Sequence, residues 1–242
     1  MKVALIGYGK MGKEIEKVIA ENGRGDEIIL RITQQNRTHI SIEDLKAADV
    51  AIEFTQPEAA VENIFWCLEA GVPIVTGTTG WFNRLEEVRK YCIEKNGALF
   101  YAPNFSIGVN IFFEVNKKLA SLMQSQMQYS VCIEETHHTE KKDAPSGTAI
   151  KTAEVILETA PRFEQWKSEP EKIYSQKYIP IVAYRQPHVP GTHMVAYKSA
   201  VDEITLTHQA FSRRGFAEGA VAAARWLIGR KGAFEMKDLL SL

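Results

Sequence analysis

The sequence predicts an α/β protein, in which a Rossmann-type parallel-sheet domain is joined to a smaller α+β domain with an open mixed sheet. Three observations predict this class. The chain opens on a short apolar strand that runs directly into a glycine-rich turn. Strand-like and helix-like segments then alternate up to about residue 107, as they do in parallel sheets. From Tyr129 onward, strands with long connections predominate.

The overall composition excludes several classes of protein. The 242 residues are 45% hydrophobic and 24% charged, enough for one large or two modest domains. The net charge of -1 and the lack of clustered basic residues argue against nucleic acid or a membrane surface as a partner. No apolar run approaches a membrane span, and no signal-like segment is present. Three separated cysteines without metal-ligand spacing predict reduced thiols, no metal site and a cytoplasmic location.

The first strand, Lys2–Ile6, ends directly in Gly-Tyr-Gly-Lys-Met-Gly, and apolar residues then recur at helical spacing from Lys10 to Asn22. This is the GxGxxG pattern in the strand–turn–helix context that dinucleotide binding requires. The alternative is a glycine turn of some other α/β unit. The predicted cofactor-binding residues here are Gly7, Gly9, Lys10, Met11 and Gly12.

The segment after the second strand, Glu27–Ile32, bears on the choice of cofactor. In dinucleotide-binding domains a carboxylate near this position holds the adenosine ribose. Here the segment has none, whereas Arg37, with Arg31 as a second candidate, is suited to neutralise a 2′-phosphate. We therefore expect NADPH or NADH as cofactor, with NADPH preferred, and Thr33 and Arg37 in contact with it. The alternative is that both arginines only face solvent.

Three further strands are predicted, at Asp49–Phe54, Val72–Thr76 and Ala98–Ala102. Ligands of parallel sheets bind beyond the carboxyl ends of the strands, so the loops that follow should join the glycine turn around one crevice. We expect threonine hydroxyls in these loops to meet the nicotinamide end. The predicted cofactor-binding residues are Thr55, Gly77, Thr78, Thr79, Pro103, Asn104 and Phe105.

The end of the chain returns to helix. An Ala-rich apolar helix is predicted over Phe216–Ile228 and is expected to pack back on the first sheet. The dinucleotide-binding domain is therefore predicted to comprise 1–107 and 215–242, and a substrate-binding and oligomerisation domain to comprise 108–214. The predicted strands of the second domain are Tyr129–Glu134, Tyr178–Arg185, Gly191–Lys198 and Asp202–Ala210.

A charged stretch, Glu134–Ala149, concentrates histidines, lysines and carboxylates between a strand and a helix. Lys141 or Lys142 supplies a fixed cation, and His137 or His138 supplies an imidazole, the side chain best suited to donate a proton near neutral pH. Ser-Gly-Thr then opens a helix whose free N–H groups suit an anion. The sequence thus predicts an anion pocket with a proton source. The alternative is a solvated polar loop with a capping residue. The segment 189–193, farther along, is predicted to form a tight hairpin, so His193 is expected to be structural.

Taken together, four motifs closely resemble the dihydrodipicolinate (4-hydroxy-tetrahydrodipicolinate) reductase family. They are the glycine turn, Gly-Thr-Thr-Gly at 77–80, Ala-Pro-Asn-Phe-Ser-Ile-Gly-Val-Asn at 102–110, and the stretch from Glu-Thr-His-His at 135–138 through Asp-Ala-Pro-Ser-Gly-Thr-Ala at 143–149. The resemblance extends from Lys2 to Leu242. The last of these motifs is highly specific.

The resemblance implies NAD(P)H-dependent reduction of 4-hydroxy-tetrahydrodipicolinate to tetrahydrodipicolinate, on the diaminopimelate route to lysine. It implies that His137 and Lys141 donate protons. It also implies that His138, Lys141, Gly147 and Thr148 hold the carboxylates of a small dicarboxylate substrate, and that the protein is a homotetramer. This chain is shorter than many members and lacks the family's common acidic residue after the second strand, which leaves the cofactor preference open. The rivals are a homoserine-type dehydrogenase, against which Ser146–Thr148 argues, and a non-catalytic NADPH-binding sensor.

Overall fold

The computed structural model describes residues 1–242, which divide into two compact units. The first unit consists of 1–107 and 214–242, and the second of 108–213. None of the helices has the length and apolar character needed to cross a membrane.

The first unit is built on a six-stranded sheet in which every neighbouring pair of strands is parallel. The central strands are buried on both faces because helices cover the sheet on either side, as their continuous apolar runs predict. In chain order the strands are β1 (Lys2–Ile6), β2 (Glu27–Ile32), β3 (Val50–Glu53), β4 (Ile74–Thr76), β5 (Ala98–Tyr101) and β11 (Gly232–Phe234).

Helices pack on both faces of this sheet. They are α1 (Lys10–Glu21), α2 (Ile42–Lys46), α3 (Pro57–Glu69), α4 (Leu85–Glu94), α7 (Arg214–Leu227) and α8 (Met236–Leu240). One core forms under α3 and α4, and the other under α1 and α7, with the Ala-rich carboxyl-terminal helix α7 lying against β3, β4 and β5. The short elements β11, α2 and α8 were not predicted, because each is too brief to show a period.

The strand order is β11-β5-β4-β3-β1-β2. The chain therefore runs outward from β1 to β2, returns across β1 to β3, and continues in the opposite direction. In open α/β sheets the ligand crevice lies at such a reversal, beyond the carboxyl ends of the strands. This topology places the glycine turn after β1 next to the loops after β3 and β4.

The second unit consists of a five-stranded mixed sheet and two helices. Its elements are α5 (Ile107–Met123), β6 (Ser130–His137), α6 (Gly147–Thr159), β7 (Trp166–Glu169), β8 (Ile179–Arg185), β9 (Gly191–Lys198) and β10 (Glu203–Ala210). The strand order is β10-β9-β6-β8-β7. β9 is antiparallel to both of its neighbours, while β6, β8 and β7 are parallel.

Two sequence expectations for this unit are wrong. The strand predicted to end at Glu134 continues to His137, since the polar residues at its end face inward and find polar partners there. The segment before His193 does not form a tight hairpin, because β6 lies between β8 and β9 in the sheet. Strand β7 was not predicted either, because its Trp-Lys-Ser-Glu sequence has little strand character.

Candidate functional site

Close backbone contacts at two glycines shape the turn after β1. Gly7 has a φ of 95°, and a Cβ on it would lie 2.0 Å from the carbonyl oxygen of Phe54. A Cβ on Gly12 would lie 2.3 Å from the carbonyl oxygen of Gly7. Gly9, in contrast, has no heavy atom within 4 Å of its missing Cβ, and no side chain caps α1 there. The open space and the uncapped helix end suit a pyrophosphate. The adjoining candidate residues are the exposed Lys10 and the half-buried Met11.

The two arginines near the end of β2 differ in their surroundings. The Nε atom of Arg31 donates to Glu16 at 2.8 Å, so this side chain is engaged with α1. The guanidinium carbon of Arg37 lies 3.4 Å from the centroid of the Trp66 ring. Stacking occupies the face of a guanidinium and leaves its in-plane N–H donors available. Burial lowers the pKa of Arg37 from its ordinary value. Thr33 lies on the same segment and donates its N–H to Asn36 at 2.7 Å.

The loops after β3 and β4 are joined through Glu53, which the sequence reasoning did not single out. Its carboxylate is fully buried and accepts hydrogen bonds from Thr55 N–H at 2.9 Å and from the Thr78 hydroxyl at 2.8 Å. The hydroxyls of Thr55 and Thr76 also donate to it. Thr78 is 7% exposed, so its hydroxyl is held mainly by the protein, whereas Thr79 is exposed. A Cβ on Gly77 would lie 2.0 Å from the Phe54 ring, which requires glycine there.

In the segment after β5, backbone groups are more available to a ligand than the side chains are. Pro103 is exposed, and the Oδ1 atom of Asn104 accepts the N–H of Ser106 at 2.9 Å. The Phe105 ring is 2% exposed, and its centroid lies 5.8 Å from those of both Phe54 and Phe100. Phe105 is therefore a core residue whose ring is turned away from any ligand outside the sheet.

Strand register in the second unit assembles a buried polar cluster on β6 and its neighbours. Glu135 and His137 are two residues apart on β6, so they share a face. Glu135 pairs with His193 across to β9, and His137 pairs with Arg185 across to β8. We call these four residues the β6 cluster. Three of its members are almost inaccessible, with exposures of 1% for Glu135, 8% for His137 and 5% for His193.

Glu135 is the centre of the β6 cluster. Its Oε2 atom lies 3.0 Å from Nδ1 of His137 and 3.9 Å from Nε2 of His193. Its Oε1 atom accepts the N–H of Ser146 at 3.0 Å and lies 3.3 Å from the Arg185 guanidinium. The Ser146 hydroxyl lies 3.1 Å from His193 Nε2 and accepts the N–H of Ala149, which caps α6. Ser146 therefore connects the start of α6 to the cluster.

The electrostatics of the cluster keep its members in different charge states. Burial alone would raise the pKa of Glu135, but its contacts with His137 and Ser146 outweigh burial and lower that pKa to about 2. Burial, followed by the repulsion of His137, lowers the pKa of His193 to about 4. At neutral pH the cluster thus combines a buried carboxylate with a neutral His193.

The loop between β6 and α6 carries the predicted cations. Lys141 is half-buried and its Nζ atom lies 2.7 Å from Asp143 Oδ2, whereas Lys142 is exposed. Arg185 donates to the carbonyl oxygen of Asp143 at 2.6 Å and to that of Lys141 at 3.3 Å, and so holds the loop in shape. His138 is half-buried, and its carbonyl oxygen accepts the N–H of Lys141 at 3.1 Å.

The amino terminus of α6, where the sequence predicts an anion site, is open at its first two positions. Ser146 caps the helix, so Gly147 and Thr148 occupy its first two positions, where backbone N–H groups have no partner within the helix. No heavy atom lies within 4 Å of the missing Cβ of Gly147. The first turn is therefore open to a carboxylate.

Three residues of the β6 cluster, Glu135, His137 and His193, are close enough together to be considered as metal ligands, since their ligand atoms all lie within 4.8 Å of one another. The sequence predicts no metal, and the arrangement argues in the same direction. The guanidinium of Arg185 already faces the same carboxylate at 3.3 Å, and a divalent cation would be repelled by it.

Two family models match nearly the whole chain. Residues 1–105 match the model described as dihydrodipicolinate reductase, N-terminus, and residues 108–240 match the one described as dihydrodipicolinate reductase, C-terminus. The chain belongs to the dihydrodipicolinate reductase family. The family assignment, the α/β fold class and the enzyme class predicted from the sequence are thereby confirmed, and a pyridine nucleotide is the cofactor class of this reductase family.

Individual relatives agree with the dihydrodipicolinate reductase models. A 4-hydroxy-tetrahydrodipicolinate reductase of Christiangramia forsetii is 45% identical over 241 residues, covering 100% of this chain and 98% of the relative. One of Methanoregula boonei is 34% identical, covering 81% of this chain and 76% of the relative. The solved structure of a dihydrodipicolinate reductase from Paenisporosarcina sp. TG-14, with dipicolinate bound, is 24% identical with a TM-score of 0.78, and the match covers 97% of each chain. At that identity the last comparison shows the fold.

Sequence reasoning missed several polar contacts of this candidate site. Arg185 holds the loop through contacts that only the folded sheet creates. The capping role of Ser146 is one of the alternatives that the sequence offers, but its bond to Glu135 is not. Glu135 lies within the family motif, but the motif alone indicates no role for it. The available signal was its position two residues before His137, which predicts a shared strand face once the strand is extended to that point.

Proposed function

We propose that this protein catalyses the NAD(P)H-dependent reduction of 4-hydroxy-tetrahydrodipicolinate to tetrahydrodipicolinate, in lysine and diaminopimelate biosynthesis. One observation supports this most directly: His137, backed by the Glu135 carboxylate at 3.0 Å, lies on the strand that leads to a lysine and an open helix start. A proton source and an anion site are what the reduction of a dianionic heterocycle requires.

The first unit binds the dinucleotide. The open space at Gly9 and the uncapped start of α1 fit a pyrophosphate, and Arg37 at the β2 side fits a 2′-phosphate, so NADPH is the preferred cofactor. With the adenosine at the β2 side, the nicotinamide end extends the other way, over the loops that follow β3, β4 and β5. When bound, this cofactor supplies the hydride.

The second unit binds the substrate and supplies the proton. The free N–H groups of Gly147 and Thr148 bind one carboxylate, and Lys141 and His138 bind the dianion through charge and hydrogen bonds. His137 and Lys141 are the proton donors. The carboxylate of Glu135 lies 3.0 Å from Nδ1 of His137, which orients the ring and leaves Nε2 as the atom available to the substrate.

The remaining parts of the proposal concern assembly and location. The exposed β10, at the edge of the mixed sheet, offers unpaired backbone groups and the 40%-exposed Ile204, which supports a homotetramer formed through this sheet. A cytoplasmic location agrees with three buried free cysteines.

The reaction is tested by a coupled assay. Pyruvate and aspartate semialdehyde are converted by a synthase to the unstable substrate, and the loss of reduced-nicotinamide absorbance is followed with NADPH and with NADH. Substrate-dependent oxidation is the expected result. Tight binding of NADPH without any such oxidation would instead identify a non-catalytic nucleotide-binding protein.

The cofactor preference is tested at Arg37. Arg37→Ala should raise KM for NADPH about tenfold and leave KM for NADH nearly unchanged, since only NADPH carries the 2′-phosphate. Arg31→Ala is the comparison, because Arg31 is bound to Glu16 and its loss should affect both cofactors alike. An equal loss with both cofactors in Arg37→Ala would show that Arg37 does not bind the phosphate.

A further inference from the structure

Glu53 is a fully buried acid whose side chain is bound only by uncharged groups. Its carboxylate accepts two hydrogen bonds from Thr55, one from the backbone N–H and one from the hydroxyl, and one each from the hydroxyls of Thr76 and Thr78. A buried carboxylate is costly unless such donors satisfy it. An apolar side chain would fill this position at a lower cost in free energy, so we look for a functional reason for the acidic side chain.

The carboxylate determines the direction of the hydroxyls around it. A carboxylate only accepts hydrogen bonds, so each threonine hydroxyl bonded to Glu53 uses its single proton as the donor to that carboxylate. The oxygens of Thr55 and Thr78 then present lone pairs to everything else nearby. Thr78 Oγ1 accepts the N–H of Thr55 at 2.7 Å, and Thr55 Oγ1 faces Asn63 Nδ2 at 3.4 Å. One lone pair of each oxygen is left over, and Thr55 is half-buried, within reach of a ligand.

These threonines follow β3 and β4, on the side of the glycine turn opposite to β2. Under the proposed function, on which this inference rests, the nicotinamide end of the cofactor lies over these loops. Its carboxamide carries an NH₂ group, which is a donor and needs an acceptor. A hydroxyl that is free to rotate can act as a hydrogen-bond donor or acceptor, whereas a hydroxyl that already donates to a carboxylate can only accept.

We infer that Glu53 is a positioning residue for cofactor recognition: it turns the Thr55 and Thr78 hydroxyls into obligate acceptors for the nicotinamide carboxamide. It also fixes the two loops relative to each other, since one carboxylate binds the residues that follow both strands.

The test compares the affinity of the protein for NADPH with its affinity for the 3-acetylpyridine analogue of NADPH, in which a methyl group replaces the NH₂ of the carboxamide. The wild type should bind NADPH about tenfold more tightly than the analogue, which is the size of one hydrogen bond. In Glu53→Gln the side-chain NH₂ forces a neighbouring hydroxyl to reverse, and this preference should fall to about twofold or less. Affinity for 2′-phospho-ADP-ribose, which has no nicotinamide, should stay within about twofold of the wild type.

Thr76→Val is the matched control. Thr76 is 1% exposed and also bonds to Glu53, so its loss disturbs the buried carboxylate without touching the Thr55 and Thr78 hydroxyls. This variant should keep the preference for the carboxamide. Equal preference in Glu53→Gln and wild type, or equal loss of preference in Glu53→Gln and Thr76→Val, would overturn the inference.

Should Glu53→Gln not fold, Thr55→Val tests the same point, because it removes one of the acceptors and retains the shape of the side chain. The preference should then fall, and an unchanged preference would contradict the inference. The two proposals fail differently. A wild-type protein that neither binds NADPH nor oxidises it would disprove the proposed function and this role of Glu53 with it, whereas normal NADPH oxidation with an unchanged carboxamide preference in Glu53→Gln would overturn the role of Glu53 alone.

Discussion

The Nδ1 atom of His137 lies 3.0 Å from the Oε2 atom of Glu135, two residues earlier on the same strand. Alternation along β6 places both side chains on the inner face of the sheet, and the Ser146 N–H and the Arg185 guanidinium hold the other carboxylate oxygen. The histidine that is proposed to donate a proton is thus oriented by a carboxylate that is itself fixed by α6 and β8.

Glu135→Gln should lower kcat by about 10²-fold, because the imidazole loses the carboxylate that orients it and stabilises its charged form. KM for both the cofactor and the substrate should change little, since Glu135 contacts neither under the proposed function. The measurement is steady-state kinetics over a range of pH, together with binding of dipicolinate. A variant that fails to bind dipicolinate would instead indicate that Glu135 only supports the fold of the site.

Gly191→Ala should displace the His137 ring. A Cβ at this position would lie 3.0 Å from Nε2 of His137, closer than carbon and nitrogen atoms normally approach, so the imidazole must move by a few tenths of an ångström. We expect kcat to fall about tenfold while the affinity for NADPH, measured by fluorescence titration, remains normal, because catalytic geometry is sensitive to such shifts. Unchanged kcat would show that Nε2 is not the reacting atom.

Lys141→Ala should reduce activity by about 10²-fold or more, because the residue is proposed both to bind a carboxylate and to donate a proton. Lys142→Ala is the matched control: the neighbouring lysine is exposed, and its removal should leave kcat/KM nearly unchanged. Circular dichroism should show both variants folded. Near-normal kinetics of Lys141→Ala, or equal losses in the two variants, would contradict the assignment.

His193 should make the protein less stable in mild acid. Its pKa is about 4 when folded, against 6.5 for the free side chain, so between these values the unfolded chain binds the extra proton. Stability should therefore fall as pH drops from 6.5 to 4 and be unaffected by this group above that window. In His193→Gln the free energy of unfolding, measured by urea denaturation at several pH values, should fall less steeply between pH 6.5 and 4. The shift of Glu135 acts at lower pH, below its ordinary value of 4.5, and is separable. Identical slopes in the two proteins would refute the prediction.

Much of the first unit follows from local sequence. A buried parallel strand needs a continuous apolar run, and the tight turn after it needs glycine at Gly7 and Gly12, so both features can be recognised without knowing the rest of the chain. The family motifs likewise pointed to His137, Lys141 and the start of α6. These features depend on residues that are close together in the sequence, so they can be recognised from the sequence alone.

The tertiary structure alone decided how distant polar residues meet. Glu135 pairs with His193, which lies 58 residues later in the sequence, because strand order and register bring them together. Arg185 reaches the loop that carries Lys141 for the same reason. In the same way Glu53 meets Thr76 and Thr78 only because β3 and β4 are neighbours in the sheet. A buried charge looks like a surface residue in a sequence, since its hydrogen-bond partners are supplied by other strands. The sequence therefore determined the fold class, the family and the motifs, and the folded sheets determined which of the charged groups support them.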